Sequence, residues 1–160
     1  MKRRRSIALT VATALFCLGA AAEAQAQSMS GGGLALYVPQ AAESYQLPDG
    51  RTVQPLNLVG FVTANDPENP LHMMNQNCAG TTIVAPEGET MDGHGHCVGI
   101  DSEGDVAWLW WSSAEVGNTW GFLGGTGKFE GIEGGGTTAP GPIWPDGKYI
   151  ITWEGTWEMK

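Results

Sequence analysis

Asp101, Glu103 and Asp105 stand at i, i+2 and i+4 around Ser102 and Gly104, the spacing with which a calcium loop begins, where alternate carboxylates reach one ion. The remainder of a twelve-residue loop is missing: Gly104 comes too early and no distal bidentate Glu is recognisable. The segment therefore reads as a hairpin turn with solvated acids rather than a metal site. A second constellation is His94-Gly95-His96-Cys97. On a strand the two histidines share a face and Cys97 points to the other, so three metal ligands do not converge there without a bulge. His72, these histidines and many carboxylates offer proton-moving groups, but no spacing forces any of them together. There is no G-x-S-x-G nucleophile elbow, and no metal or cofactor is expected.

The tryptophans carry the stronger functional signal: Trp108, Trp110, Trp111, Trp120, Trp144, Trp153 and Trp157. A buried indole needs a partner for its N–H, so a dense set of them suits a partly polar, aromatic-lined cavity. Trp108, Trp110, Trp120, Trp153 and Trp157 are the expected ligand contacts, with Trp144 as a lid. The competing reading is a small barrel packed solid with its own aromatics.

The elements that must position these residues are strands. Pro48-Asp49-Gly50, Pro86-Glu87-Gly88, Asp92-Gly93, Ser102-Glu103-Gly104 and Pro145-Asp146-Gly147 separate apolar runs and carry the chemistry of tight turns. Between them the runs are rich in Val, Ile, Thr, Trp and Phe, with no long 3.6-residue period past residue 26. At the C-terminus, Tyr149, Ile151, Trp153, Gly155 and Trp157 form an inward face against Ile150, Thr152, Glu154, Thr156 and Glu158. Further strands are expected near 56–63, 72–75, 80–84, 97–100, 106–112, 118–123 and 128–132. Val106–Trp111 is apolar on both faces, so its outer face calls for a cover. Thr137–Gly147, with Pro140, Pro142 and Pro145 around Trp144, reads as a stiff non-strand loop. The fold class is all-β: a single antiparallel β-barrel of about eight strands, with a β-sandwich as the alternative.

Gly124-Gly125-Thr126-Gly127-Lys128-Phe129-Glu130-Gly131-Ile132-Glu133-Gly134-Gly135-Gly136 sets one aromatic and one aliphatic residue among glycines that no helix tolerates. Gly125, Gly127 and Gly131 are expected to be structural, serving bends and close backbone approach, while Phe129 and Ile132 anchor the segment in the core. The segment resembles the G-G-T-G-x-F-x-G-x-x-G signature of allene oxide cyclase-like and dirigent-like β-barrels of the calycin type. The resemblance implies a barrel. Some members of those families are cyclases or coupling guides, but their catalytic residues lie outside this motif and none is carried over.

Residues 1–26 read as a secretory signal: Lys2-Arg3-Arg4-Arg5, an apolar run from Ile7 to Ala22, and the cleavage site Ala24-Gln25-Ala26. The run is shorter than the roughly 20 apolar residues of a membrane span. Residues 27–33, small and polar, are expected to be a flexible mature N-terminus, and 34–160 the barrel domain. The expected location is secreted or periplasmic. Beyond residue 26 four bases (Arg51, Lys128, Lys148, Lys160) face every acid but Glu23, sixteen in all, for a formal net charge of −12. No basic stripe exists to displace phosphate counterions, so a nucleic-acid partner is not expected. Cys78 and Cys97 are the only cysteines past the signal and are expected to form a disulfide in an oxidising compartment. Three functions fit these observations. The first is an exported barrel binding an apolar or aromatic small molecule; the second is an isomerase or cyclase that folds its substrate in the same cup; the third is a structural or interaction protein.

Overall fold

Residues whose side chains alternate between apolar and polar pair into one continuous antiparallel sheet that closes on itself. The computed structural model describes residues 27–114 and 117–159. Its strands are β1 Gln27–Pro39, β2 Tyr45–Gln46, β3 Thr52–Ala64, β4 Met74–Val84, β5 Thr90–Ile100, β6 Val106–Ala114, β7 Gly117–Gly125, β8 Glu133–Ile143 and β9 Tyr149–Met159. The sheet runs β1-β9-β8-β7-β6-β5-β4-β3, and β1 also pairs with β3. Eight strands thus close a barrel and leave no free edge, which rules out the sandwich. The two-residue β2 adds to the start of β3.

Four of the five sequence turns form as expected. In each, the glycine N–H closes the turn on the carbonyl three residues back: Gly50 on Leu47, Gly88 on Ala85, Gly104 on Asp101 and Gly147 on Trp144. Asp92-Gly93 does not turn but lies within β5, whose Gly93, Gly95, Cys97 and Gly99 face inward while His94, His96, Val98 and Ile100 face out. Cys78 and Cys97, directly opposite one another on β4 and β5, are joined by a disulfide.

Several boundaries differ from the sequence reading. Residues 74–75 and 80–84 belong to one strand, β4, with His72 and Met73 in the turn before it, and 97–100 is the end of the longer β5. Residues 27–33 are not a tether: they pair with Met159–Trp153 of β9, long-range bonding that a run of small residues does not announce. Thr137–Ile143 continues β8 in spite of its prolines. β8 bonds β7 only through Gly135–Thr138, so Pro140 and Pro142 sit where no N–H is required on that side, and the β9 register shifts between Pro140 and Ile143. Residues 128–132 are no strand; Gly127–Phe129 forms a 3₁₀ turn, with Phe129 N–H bonded to Thr126 O and Glu130 N–H to Gly127 O. The secretory signal expected over 1–26 lies outside the described residues. No helix among the described residues is long and apolar enough to cross a membrane.

Candidate functional site

The barrel has one plugged end and one open end. At the plugged end Phe129 and Ile132 drop from the glycine segment into the core, Phe129 with no exposure at all, and Leu71 of the β3–β4 connection is buried in the same core. The glycines make this possible. Gly125 runs so close to Phe129 and to the Val106 carbonyl that a Cβ would collide with both, and Gly127, at φ 56°, leaves no room for a side chain beside the Asp105 carboxylate. Lys128 N–H donates to Asp105 Oδ2 at 3.1 Å, and Val106 N–H to Thr126 Oγ1 at 3.0 Å.

The acidic turn belongs to the same plug. Asp101, Glu103 and Asp105 do bring their oxygens together, but an ammonium is already there: Lys128 Nζ lies 2.7 Å from Asp101 and 3.3 Å from Glu103. Asp101 is buried rather than solvated, and its Oδ1 accepts the N–H groups of Glu103 and Asp105 at 2.8 and 2.9 Å. Burial by itself would raise the Asp101 carboxyl, yet the Lys128 ammonium and these amides together hold it below the usual carboxylate range. Lys128 is held above its ordinary range, first by its bond to Asp101. This cluster is a clamp between the β5–β6 turn and the glycine segment.

Above the plug, aromatic rings make a floor. Trp120 meets Phe122 edge-on at 5.3 Å and Trp153 at 6.2 Å, and Trp157 touches Phe122 and Trp153 at 6.3 and 6.4 Å. The indole N–H groups of Trp120 and Trp153 reach backbone carbonyls of Thr137 and Thr63 at 3.3 and 3.1 Å. Those of Trp111 and Trp157 have no hydrogen-bond partner. Over this floor the barrel holds a cavity of about 510 Å³, opening toward the β4–β5 and β8–β9 turns. This volume lies within the range of small-molecule sites.

The expected tryptophans divide. Trp120 and Trp153 line the cavity, whereas Trp157 is sealed below it with the plug. Trp108 and Trp110 correct the sequence reading, since both are on the outside, 41% and 36% exposed. The stretch of β6 at Trp110 borders the cavity, but its indole lies across Gly121 on the outer face. Trp111 takes the inward place instead, its ring laid over Gly80 and Gly95, where any Cβ would meet it. A strand apolar on both faces cannot declare its phase; the glycine gaps of β4 and β5 choose it. Trp144 stands beyond the rim, on the β8–β9 turn, and does not line the cavity.

The wall is neutral. Among the described residues no carboxylate, imidazole, ammonium or guanidinium lines it. Its titratable groups are Tyr37 and Tyr149, whose rings lie 5.6 Å apart. Burial, reinforced by Tyr149, lifts the Tyr37 phenol far above its ordinary value, and burial pushes Tyr149 up to about 12. Both are protonated throughout the physiological range. The mouth is two-sided, with Gln54, Thr82, Ser113 and Asn118 on one arc and Pro140, Ile143 and Ile151 on the other. His72 bonds the backbone of Ala64 away from the cavity, and His94 and His96 are on the outer face.

No protein-family model and no curated protein matches the chain. Solved structures of dirigent proteins are among those similar to it. The pterocarpan synthase dirigent protein GePTS1 superposes with a TM-score of 0.52 and 16% identity, over 84% of this chain and 86% of that one. The pterocarpan synthase dirigent protein PsPTS1 gives a TM-score of 0.48 and 15% identity, over 85% of this chain and 96% of that one. The fold is that of a dirigent-like barrel.

Proposed function

We propose that this protein is an exported, secreted or periplasmic barrel that binds a neutral, largely apolar small molecule without catalysing proton transfer. The observation that carries this reading is the cavity itself, a space of about 510 Å³ walled by aromatics and by no charged residue among those described. An isomerase or cyclase of the acid–base kind needs a group that titrates near the working pH, within reach of its substrate. Two tyrosines held protonated do not supply one. A charged ligand would leave water for a wall without a counter-ion, at a cost of several kcal/mol. The disulfide agrees with an oxidising compartment.

A directing role is the second reading, favoured by the dirigent-like fold. There the wall would hold a substrate in one conformation while its chemistry is driven from outside, which also needs no acid or base in the cavity. Product distribution with and without the protein separates directing from carriage.

The test is a titration of intrinsic tryptophan fluorescence with a panel of neutral aromatic and alicyclic compounds. Saturable quenching is expected, with the dissociation constant of the best compound raised about tenfold in Trp153→Ala through loss of the ring contact. Folded protein that shows no saturable response to any compound overturns the reading.

A further inference from the structure

Apart from the polar arc at the mouth, one polar pair is set among apolar residues of the cavity wall. Tyr37 and Gln76 are 7% and 6% exposed, and both line the cavity. They do not sit on neighbouring strands. Tyr37 on β1 is in register with Gly60 on β3, and Gly60 with Gln76 on β4. The Tyr37 ring lies flat across Gly60, so close that a Cβ there would overlap it, and the phenol O–H crosses the strand to donate to Gln76 Oε1. Leu58, Val62, Cys78 and Ile151 line the same cavity. A missing side chain at the middle position is what allows the outer two to meet.

The hydrogen-bond inventory of the pair is lopsided. Tyr37 spends its single O–H on the oxygen end of the Gln76 carboxamide, and that bond engages neither of the two N–H donors on Nε2. Gln76 lines the cavity, so a ligand that covers its amide without accepting from it would leave a buried N–H unpaired, which is costlier than a spare lone pair on an oxygen. The complement of this wall is therefore an acceptor, and a neutral one, since no cation among the described residues faces the cavity to offset an anion.

We propose that Gln76, held in place by Tyr37 across Gly60, is the polar anchor of the cavity and selects a ring-bearing ligand with a neutral carbonyl over the hydrocarbon of the same shape. This rests on the binding reading above and adds the functional group that the ligand must carry. Trp120 and Trp153 take the apolar body, and Gln76 Nε2 donates to the carbonyl oxygen. Tyr37 is a positioning residue: it fixes which end of the amide is free.

Calorimetric titration of the full mature chain with 2-acetylnaphthalene, 2-isopropenylnaphthalene and 2-naphthoate tests this. The first two differ only in carrying C=O or C=CH₂, and the third places a carboxylate there. The ketone is expected to bind about tenfold more tightly than the hydrocarbon, the worth of one buried hydrogen bond, and naphthoate more weakly than either. Gln76→Leu should bring the ketone and hydrocarbon affinities together. Tyr37→Phe, which keeps the ring over Gly60, should shrink the preference without abolishing it. An infrared difference spectrum of the bound ketone supplies a readout that folding defects do not mimic: its carbonyl stretch should move to lower frequency in the wild type. Equal affinities for ketone and hydrocarbon, or an unshifted stretch, overturn the anchor while leaving the binding cavity intact. No binding of any of the three probes overturns both.

Discussion

The two ends of this barrel are made from the same strands and do opposite things. Along β9 the inward residues run from Trp157, sealed against Phe122 and the plug, through Trp153 in the floor, to Ile151 and Tyr149 in the open wall. The plugged end is tied by directional bonds as well as packing: the Asp101–Lys128 pair, the Asp105 and Thr126 contacts, and glycines that admit backbone where side chains would collide. The open end has a neutral arc of amides and hydroxyls facing an apolar arc, and little that fills the middle. The difference separates the stability of the barrel from its capacity to bind, so the two should respond to different substitutions.

The largest effect is expected at the plug. Phe129→Ala removes a fully buried ring and should cost about 3–5 kcal/mol, measured by urea unfolding. Ile151→Ala, in the half-open wall, should cost markedly less because the cavity already borders it. Equal losses would break the comparison. Next comes the disulfide, which lies midway and closes a separation of 19 residues. Replacing both cysteines by serine should lower stability by about 3 kcal/mol through the freed unfolded chain. If the cavity were held open by this link alone, the double variant would also lose ligand binding in its folded fraction.

The smallest expected effect is the pH dependence of the clamp. Asp101 has its folded pKa depressed, so its contribution is fully present above the ordinary carboxylate range, about pH 4, and is lost as pH falls through the lower folded value. Denaturant midpoints should therefore drop on acidification below about pH 4, and Asp101→Asn should flatten part of that drop. Asp49 and Asp146 also have depressed carboxyls, chiefly through Arg51 and Lys148. Those pairs are exposed and screened by salt, so the part of the drop that persists at high ionic strength belongs to the buried Asp101. An acid dependence abolished by salt would remove the clamp from the account of the plugged end.

What the chain determined without its fold follows from patterns that need no partner. β9 alternates apolar and polar residues, so its own sequence names its inner face, and Tyr149, Ile151, Trp153 and Trp157 all turn inward. The glycine segment could only be irregular backbone with two anchors, and Phe129 and Ile132 are those anchors. Cys78 and Cys97, the two cysteines past residue 26, are the ones that pair. Tertiary structure decided the rest, wherever a residue's role depends on what is absent opposite it. β6 carries large apolar side chains on both faces, and its phase was chosen by Gly80 and Gly95, which admit Trp111, and by Gly121, which leaves room for Trp110 outside. Residues 27–33 became a strand because β9 offered them unpaired backbone groups. Tyr37 and Gln76 became a pair because Gly60 lies between them. A gap has no signature in the sequence of the strand that fills it, since the vacancy belongs to a neighbour many residues away.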